Sequence, residues 1–479
     1  MTAWPRLDFF IHRWIGAVLG GLVFVWFASG IVLMYYPYPS IPATRQLGML
    51  QPFVPDSTLL GFGRASQTAT RSLEANGATV ALVSGRLELL GDRLVYRFLR
   101  DSREGLVPAA LVDAHSGVVL SPVGPGLALA AARRIAGKET GVAGIELERQ
   151  ADHYMMDVAY GPQFPAWRVR FDDPRATAVY VSTMGANPFG IVTRLTRVTT
   201  WTGTVPHWFY FIWLYSRPTA WSLAFVIAAS LVILLAFTGI VWGILRLFPL
   251  RSRGDNRLTP YRGVSKWHHL AGLVFGVLVL TWTASGLYQN FGEDSSPRAG
   301  QAARIRGGPT KWDTINLTEA AALARLSRPA GDGLVQAIDL VQFDGRPGYV
   351  VHFADGHGAW VNAGDGAARR ELDERDRRRA AELAVDGSAP VDRFDRLTSY
   401  DRYYYVRHGR ELPLPVWRAT FRDRDATLLY FDPLTGAPAG FVDRASKRAR
   451  WLRDAVHSFD VGLLNNHRPL WDLVMLPLL

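Results

Sequence analysis

His268 to Gly286 reads HHLAGLVFGVLVLTWTASG, and His12 to Gly30 reads HRWIGAVLGGLVFVWFASG. With a shift of 256 residues, His12/His268, Gly16/Gly272, Val18/Val274, Gly20/Gly276, Leu22/Leu278, Val23/Val279, Trp26/Trp282, Ala28/Ala284, Ser29/Ser285 and Gly30/Gly286 are identical, ten of 19 positions. A second echo follows with a shift of 250. Trp167, Arg168, Phe171, Asp173, Ala176, Thr177 and Tyr180 return as Trp417, Arg418, Phe421, Asp423, Ala426, Thr427 and Tyr430. Trp201, His207, Phe209, Trp221 and Leu223 then return as Trp451, His457, Phe459, Trp471 and Leu473. Repeats at fixed spacing set the architecture before any single element does. The chain reads as two tandem halves, roughly residues 1–250 and 257–479, each an apolar span, a long polar region and a second apolar stretch.

The runs 14–36, 220–245 and 270–291 contain no charged residue, in a chain of 479 residues that is 49% hydrophobic. Each exceeds the ~20 residues that cross a ~30 Å hydrocarbon core as a helix. An apolar run near the N-terminus also fits a cleaved signal peptide, but its length and its duplicate deep in the chain favour a retained span. Around the second and third spans, Arg246, Arg251, Arg253, Arg257, Arg262 and Lys266 stand against Asp255 alone. Positive charge near span ends stays on the cytoplasmic side. The expected order is a cytoplasmic N-terminus (1–13), a first span (14–36), an external region (37–205), an interfacial segment (206–218), a second span (219–245), a basic cytoplasmic loop (246–267), a third span (268–291), a second external region (292–456) and an interfacial segment with a truncated fourth span (457–479). The stretch from Pro469 to Leu479 is too short to cross alone, and its counterpart from Leu231 to Leu245 carries no histidine.

The net charge of +11 arises partly in the basic loop, and no phosphate loop or dinucleotide fingerprint occurs, so nucleic acid is not an expected partner. Absence of cysteine excludes disulfides, Fe–S clusters, zinc thiolates and covalently attached c-type haem. In the external regions, Arg93 to Arg100, Ala166 to Ser182, Gly348 to Phe353, Ala359 to Asn362 and Val416 to Asp432 alternate as strands. Leu127 to Ala136 and Thr318 to Leu326 read as helices. The expectation is two α+β modules.

In the first span His12, Gly16 and Gly20 share a helix face, as do His268, Gly272 and Gly276 in the third. One reading is a small-residue packing face capped by polar histidines; the other is an imidazole at the end of a groove. His207 and His457 stand among aromatic residues just before the even-numbered spans. An interfacial aromatic belt explains them singly, whereas recurrence at corresponding places in both halves favours ligation.

The HRW-x-G-x-x-x-G-x-x-x-x-x-W-x-x-SG span, the W-R-x-x-F-x-D…Y strand pairs and the duplicated span–module–span layout resemble the PepSY-associated transmembrane family. The resemblance covers nearly the whole chain. It implies a membrane α-helical bundle with two external PepSY-like modules, placed in a bacterial inner membrane with those modules in the periplasm. It also implies two b-type haems and the reduction of ferric siderophores or other ferric chelates, with electrons from a quinol or a cytoplasmic reductase. A haem on a pseudo-two-fold axis takes one axial ligand from each half. The repeat offers His12 with His268 at the cytoplasmic edge and His207 with His457 at the external edge, with His269 and His467 as adjacent substitutes. Gly16, Gly20, Gly272 and Gly276 are then expected to line the cofactor groove, the first and third spans facing each other through them.

Weaker candidates are an external metal site at His352, Asp355 and His357, and an anionic or catecholate ligand facing Tyr403, Tyr404 and Tyr405 with Arg402 and Arg407. Arg369 to Arg379 reads as a solvated helix. The alternative function is a non-catalytic module that binds peptide or regulates a protease. A transporter is disfavoured because the spans carry no internal charge to mark an ion path.

Overall fold

The computed structural model describes residues 4–39, 41, 43–102, 105–156, 160–252, 254, 257–289, 299–326, 334–385, 389–406, 412–465 and 467–478. Arg253 and Asp255 of the basic loop, and Arg407 beside the tyrosine run, lie outside the described residues. The chain divides into two units, one of Met1–Tyr38, Val198–Asp294 and Arg444–Leu479, the other of Pro39–Arg197 and Ser295–Asp443.

Among its described residues the first unit holds three helical stretches long and apolar enough to cross a membrane: His12–Tyr35 within the helix Trp4–Tyr35, Pro218–Ser252 and Gly263–Gln289. Within lipid a backbone must satisfy its own hydrogen bonds, and uninterrupted helices of 32, 35 and 27 residues do so. The second long helix packs along both the first and the third. Arg468–Met475, in the stretch expected to hold a truncated span, is a helix of eight residues.

The approach to the second long helix is irregular, and the irregularity recurs. A π-helical turn at Thr200–Thr204 leads into Val205–Trp208, and another at Arg450–Ala455 leads into Val456–Ser458. Phe209 (φ 55°) and Phe459 (φ 49°) then take the left-handed conformation that non-glycine residues avoid. The indole of Trp221 donates to the Trp208 carbonyl (2.8 Å), and that of Trp471 to the Ser458 carbonyl (2.9 Å). Each indole ties its segment to the helix that follows.

The second unit contains fifteen strands among its described residues: β1 Ser84–Leu90, β2 Arg93–Ser102, β3 Gly105–Asp113, β4 Val142–Glu148, β5 Ala166–Phe171, β6 Ala178–Ser182, β7 Pro188–Val192, β8 Val335–Phe343, β9 Arg346–Phe353, β10 Gly358–Asn362, β11 Ala368–Arg369, β12 Val391–Leu397, β13 Val416–Phe421, β14 Leu428–Phe431 and β15 Pro438–Val442. Two four-stranded sheets, β4-β5-β6-β7 and β12-β13-β14-β15, share one order. Their repeated residues hold turns and ladders. Thr177 and Thr427 each bond through backbone N–H and hydroxyl to Asp173 and Asp423 at 2.6–2.8 Å, which secures the left-handed Ala176 and Ala426. Arg168 and Tyr180 meet at Asp152, as Arg418 and Tyr430 meet at Asp401.

The two polar regions are not separate modules. A seven-stranded antiparallel sheet runs β11-β10-β9-β8-β1-β2-β3, joined across the halves by β1 and β8, where Arg86 stands opposite Asp339. Its core takes Phe62, Tyr96 and Phe98 from the first region and Ile338, Tyr349 and Val351 from the second. Glu319, fully buried, accepts the Phe62 N–H (3.0 Å) and the Tyr96 hydroxyl (3.1 Å). It thereby serves the N-terminus of helix Phe62–Ala75, where Gly61 offers no side-chain cap.

Candidate functional site

The first unit brings the repeat-related histidines together in pairs. The His12 and His268 rings lie 6.1 Å apart between centroids at 49°, and those of His207 and His457 lie 6.5 Å apart at 65°. An imidazole nitrogen binds a first-row metal at ~2 Å, so two imidazoles sharing one ion stand roughly 6 Å apart between centroids. Both pairs meet this spacing.

The second ring nitrogen is fixed in three of the four. His207 Nδ1 lies 3.1 Å from the Trp26 carbonyl and 3.1 Å from Ser29 Oγ. His457 Nδ1 lies 3.0 Å from the Trp282 carbonyl and 3.2 Å from Ser285 Oγ. His12 Nδ1 faces the Leu235 carbonyl at 3.0 Å. A carbonyl only accepts, so Nδ1 carries the proton in each and Nε2 keeps a lone pair. This is how a metal-ligating histidine is oriented from behind.

The neighbouring residues leave room for the rings. A Cβ on Gly30 would stand 3.4 Å from His207 Cε1, and one on Gly286 would stand 3.1 Å from His457 Cε1. At the other pair a Cβ on Gly239, in the second long helix, would come within 2.5 Å of His12 Cε1. The W-x-x-S-G echo therefore has a physical reading: carbonyl, hydroxyl and vacant Cβ together seat one imidazole.

Other expected residues lie elsewhere. His269 is buried, with Nε2 3.0 Å from the Gly243 carbonyl and its ring 5.3 Å from Tyr261; the ~100° step from His268 turns it onto the second long helix. His467 is exposed at the start of Arg468–Met475. Two of the four groove glycines, Gly16 and Gly276, turn toward the second long helix. A Cβ on Gly16 would point at Leu235 (3.3 Å) and one on Gly276 at Ile240 (3.1 Å), both on the second long helix, while Gly20 and Gly272 open onto space with nothing within 4 Å. The first and third helices meet instead through Phe27 and Trp282, 5.5 Å between rings. A stripe at every fourth residue defines a face without naming its neighbour.

In the second unit, His352 Nε2 lies 2.9 Å from Asp339, and His357 pairs with Asp355 at 3.3 Å. No group of three metal-ligating side chains occurs among the described residues. Tyr404 is buried and stacks on Tyr430 at 4.8 Å, so it is core. The charged stretch starts its helix only at Glu374 and buries Asp376, Ala380, Ala381 and Ala384. It is therefore packed on one face, with Asp376 receiving Arg346 at 2.9 Å and Arg369.

The sequence reading gave no role to Ser29, Ser285, Gly239 or the Leu235 carbonyl. The serines stood among the repeated residues, whereas Gly239 carried no signal of its own. No protein-family model matches the chain, and no curated protein matches it.

Proposed function

We propose that this chain, a tandem duplication, is a di-haem oxidoreductase of a bacterial inner membrane that passes electrons outward to reduce ferric iron in siderophores or other ferric chelates. The observation that carries this reading is the occurrence of two repeat-related histidine pairs with the separation of bis-imidazole ligation. His12 and His268 would hold one b-type haem, and His207 and His457 the other. Bound there, haem iron supplies reversible one-electron chemistry. The Trp26, Trp282 and Leu235 carbonyls orient the imidazoles and keep the proton on Nδ1. The His207 site meets the first helix at Trp26, 14 residues beyond His12, or ~21 Å along the axis. That separation spans most of a ~30 Å core and suits transfer across a bilayer better than chemistry at one face.

The basic loop between the second and third long helices supports a periplasmic position for the PepSY-like regions. The electron donor is a quinol or a cytoplasmic reductase. The test is a spectrum of the purified chain in detergent. A reduced b-type band that is bleached on adding a ferric chelate supports the proposal. A colourless protein contradicts it and favours the non-catalytic peptide-binding or protease-regulating reading.

A further inference from the structure

A charged cluster lies in the interior of the second unit, at the joint between β1 and β8. Arg86 binds Asp339 in bidentate fashion (2.6 and 2.8 Å). Glu88 is shared, taking Arg97 through both oxygens (2.8 Å each) and Arg134 through one (2.8 Å). Among the described residues, three guanidinium groups here face two carboxylates, an excess of one positive charge. Arg134 is 3% exposed, Arg97 8% and Glu88 fully buried, with Arg86 and Asp339 partly exposed, so solvent screens that excess only weakly.

Burial pulls the Arg97 guanidinium below its ordinary value; Glu88 opposes this, and the neighbouring Arg134 and Arg86 add to it. An uncompensated buried charge is strongly destabilising. Arg86, Arg97 and Arg134 line a cavity of about 20 Å³ together with Ile41, Gln46, Met49 and Leu50. Arg134 Nε, buried and on this lining residue, has no hydrogen-bond partner. Asn187 borders the same space and donates to Gln163 Oε1 (3.2 Å), leaving its own buried Oδ1 without a partner; flipping both amides together keeps that bond and exchanges the free oxygen for N–H.

We infer that this cavity holds one monatomic anion, chloride, seated among Arg86, Arg97 and Arg134. A space of this size suits a single particle about as large as water, which favours a monatomic anion over phosphate, sulfate or a carboxylate. Water fits, but it leaves the excess charge in place. Chloride removes the excess and accepts the free Arg134 N–H. The site owes nothing to the histidine pairs, so it stands or falls separately from the proposed electron transfer.

The test is thermal unfolding of the full chain in detergent, in sodium chloride and sodium gluconate at equal ionic strength. The melting temperature is expected to rise saturably with chloride, and bromide is expected to substitute. Arg134→Gln removes the excess charge and should abolish the difference between the salts. Equal melting in both salts, or an Arg134→Gln protein that keeps the full chloride dependence, overturns the inference. Should that variant not fold, wild-type crystals grown in bromide decide the matter: an anomalous peak beside Arg134 supports the site, and its absence there overturns it.

Discussion

Single residues decide whether an imidazole is held ready, and Gly239 is the most exposed to test. Adding one methyl there meets His12 Cε1 at 2.5 Å, closer than a Cβ approaches any neighbour. Gly239→Ala is expected to remove the haem of the His12–His268 pair while keeping that of His207–His457, so haem measured per chain falls by about half; an unchanged content would show that His12 does not ligate from this position. Glu88 decides acid stability in the other unit. Its burial works against ionisation, but Arg97, Arg134 and Arg86 outweigh burial and bring its pKa from 4.5 to about 2. A carboxylate with a depressed folded pKa contributes stability that is present above its unfolded value and lost as pH falls through the folded one. The loss is therefore expected between about pH 4.5 and pH 2. Glu88→Gln should flatten that part of the profile and cost ~3–5 kcal/mol at neutral pH by leaving buried arginines without a partner. Thermal unfolding across pH checks both, and a variant with the wild-type acid profile would refute the assignment.

At the scale of elements, the π-helical turn, the short helix and the left-handed phenylalanine work as one device that presents a histidine to the W-x-x-S-G face of another helix. The device is tied down by one indole in each half, Trp221 and Trp471. Trp221→Phe keeps an aromatic ring but removes the indole N–H that serves the Trp208 carbonyl, a loss of ~1 kcal/mol for the bond itself and more if the carbonyl stays dry. The expected result is faster haem loss from the His207–His457 pair alone, followed by transfer to apomyoglobin; equal loss from both pairs would mean that the segment is not held this way. Much of this was legible in the sequence, because the uncharged runs give the spans and the repeat gives the pairing of His12 with His268 and His207 with His457. What remained hidden depends on contacts between distant segments. The joining of β1 to β8 into one sheet is set where two strand edges meet some 250 residues apart, and alternation within a strand says nothing about which edge it joins. The glycine stripes gave a helix face but not the second long helix as its neighbour. His269 differed from His268 only by the rotation of one helical step.

For the whole molecule, the proposed function rests on two equivalent sites built from opposite halves of the chain. Each site takes one histidine from each half, so neither half alone completes one. Loss of a single histidine should then empty one site and leave the other filled, because the two pairs share no ligand. The measurement that bears on this most directly is haem counted per chain in the wild-type protein and in His12→Ala and His207→Ala, each purified in detergent and assayed as the pyridine haemochrome. Two haems are expected in the wild type and one in each variant, with different spectra and potentials for the haem that remains. A wild type without haem, or two variants that both keep the wild-type count, would contradict it.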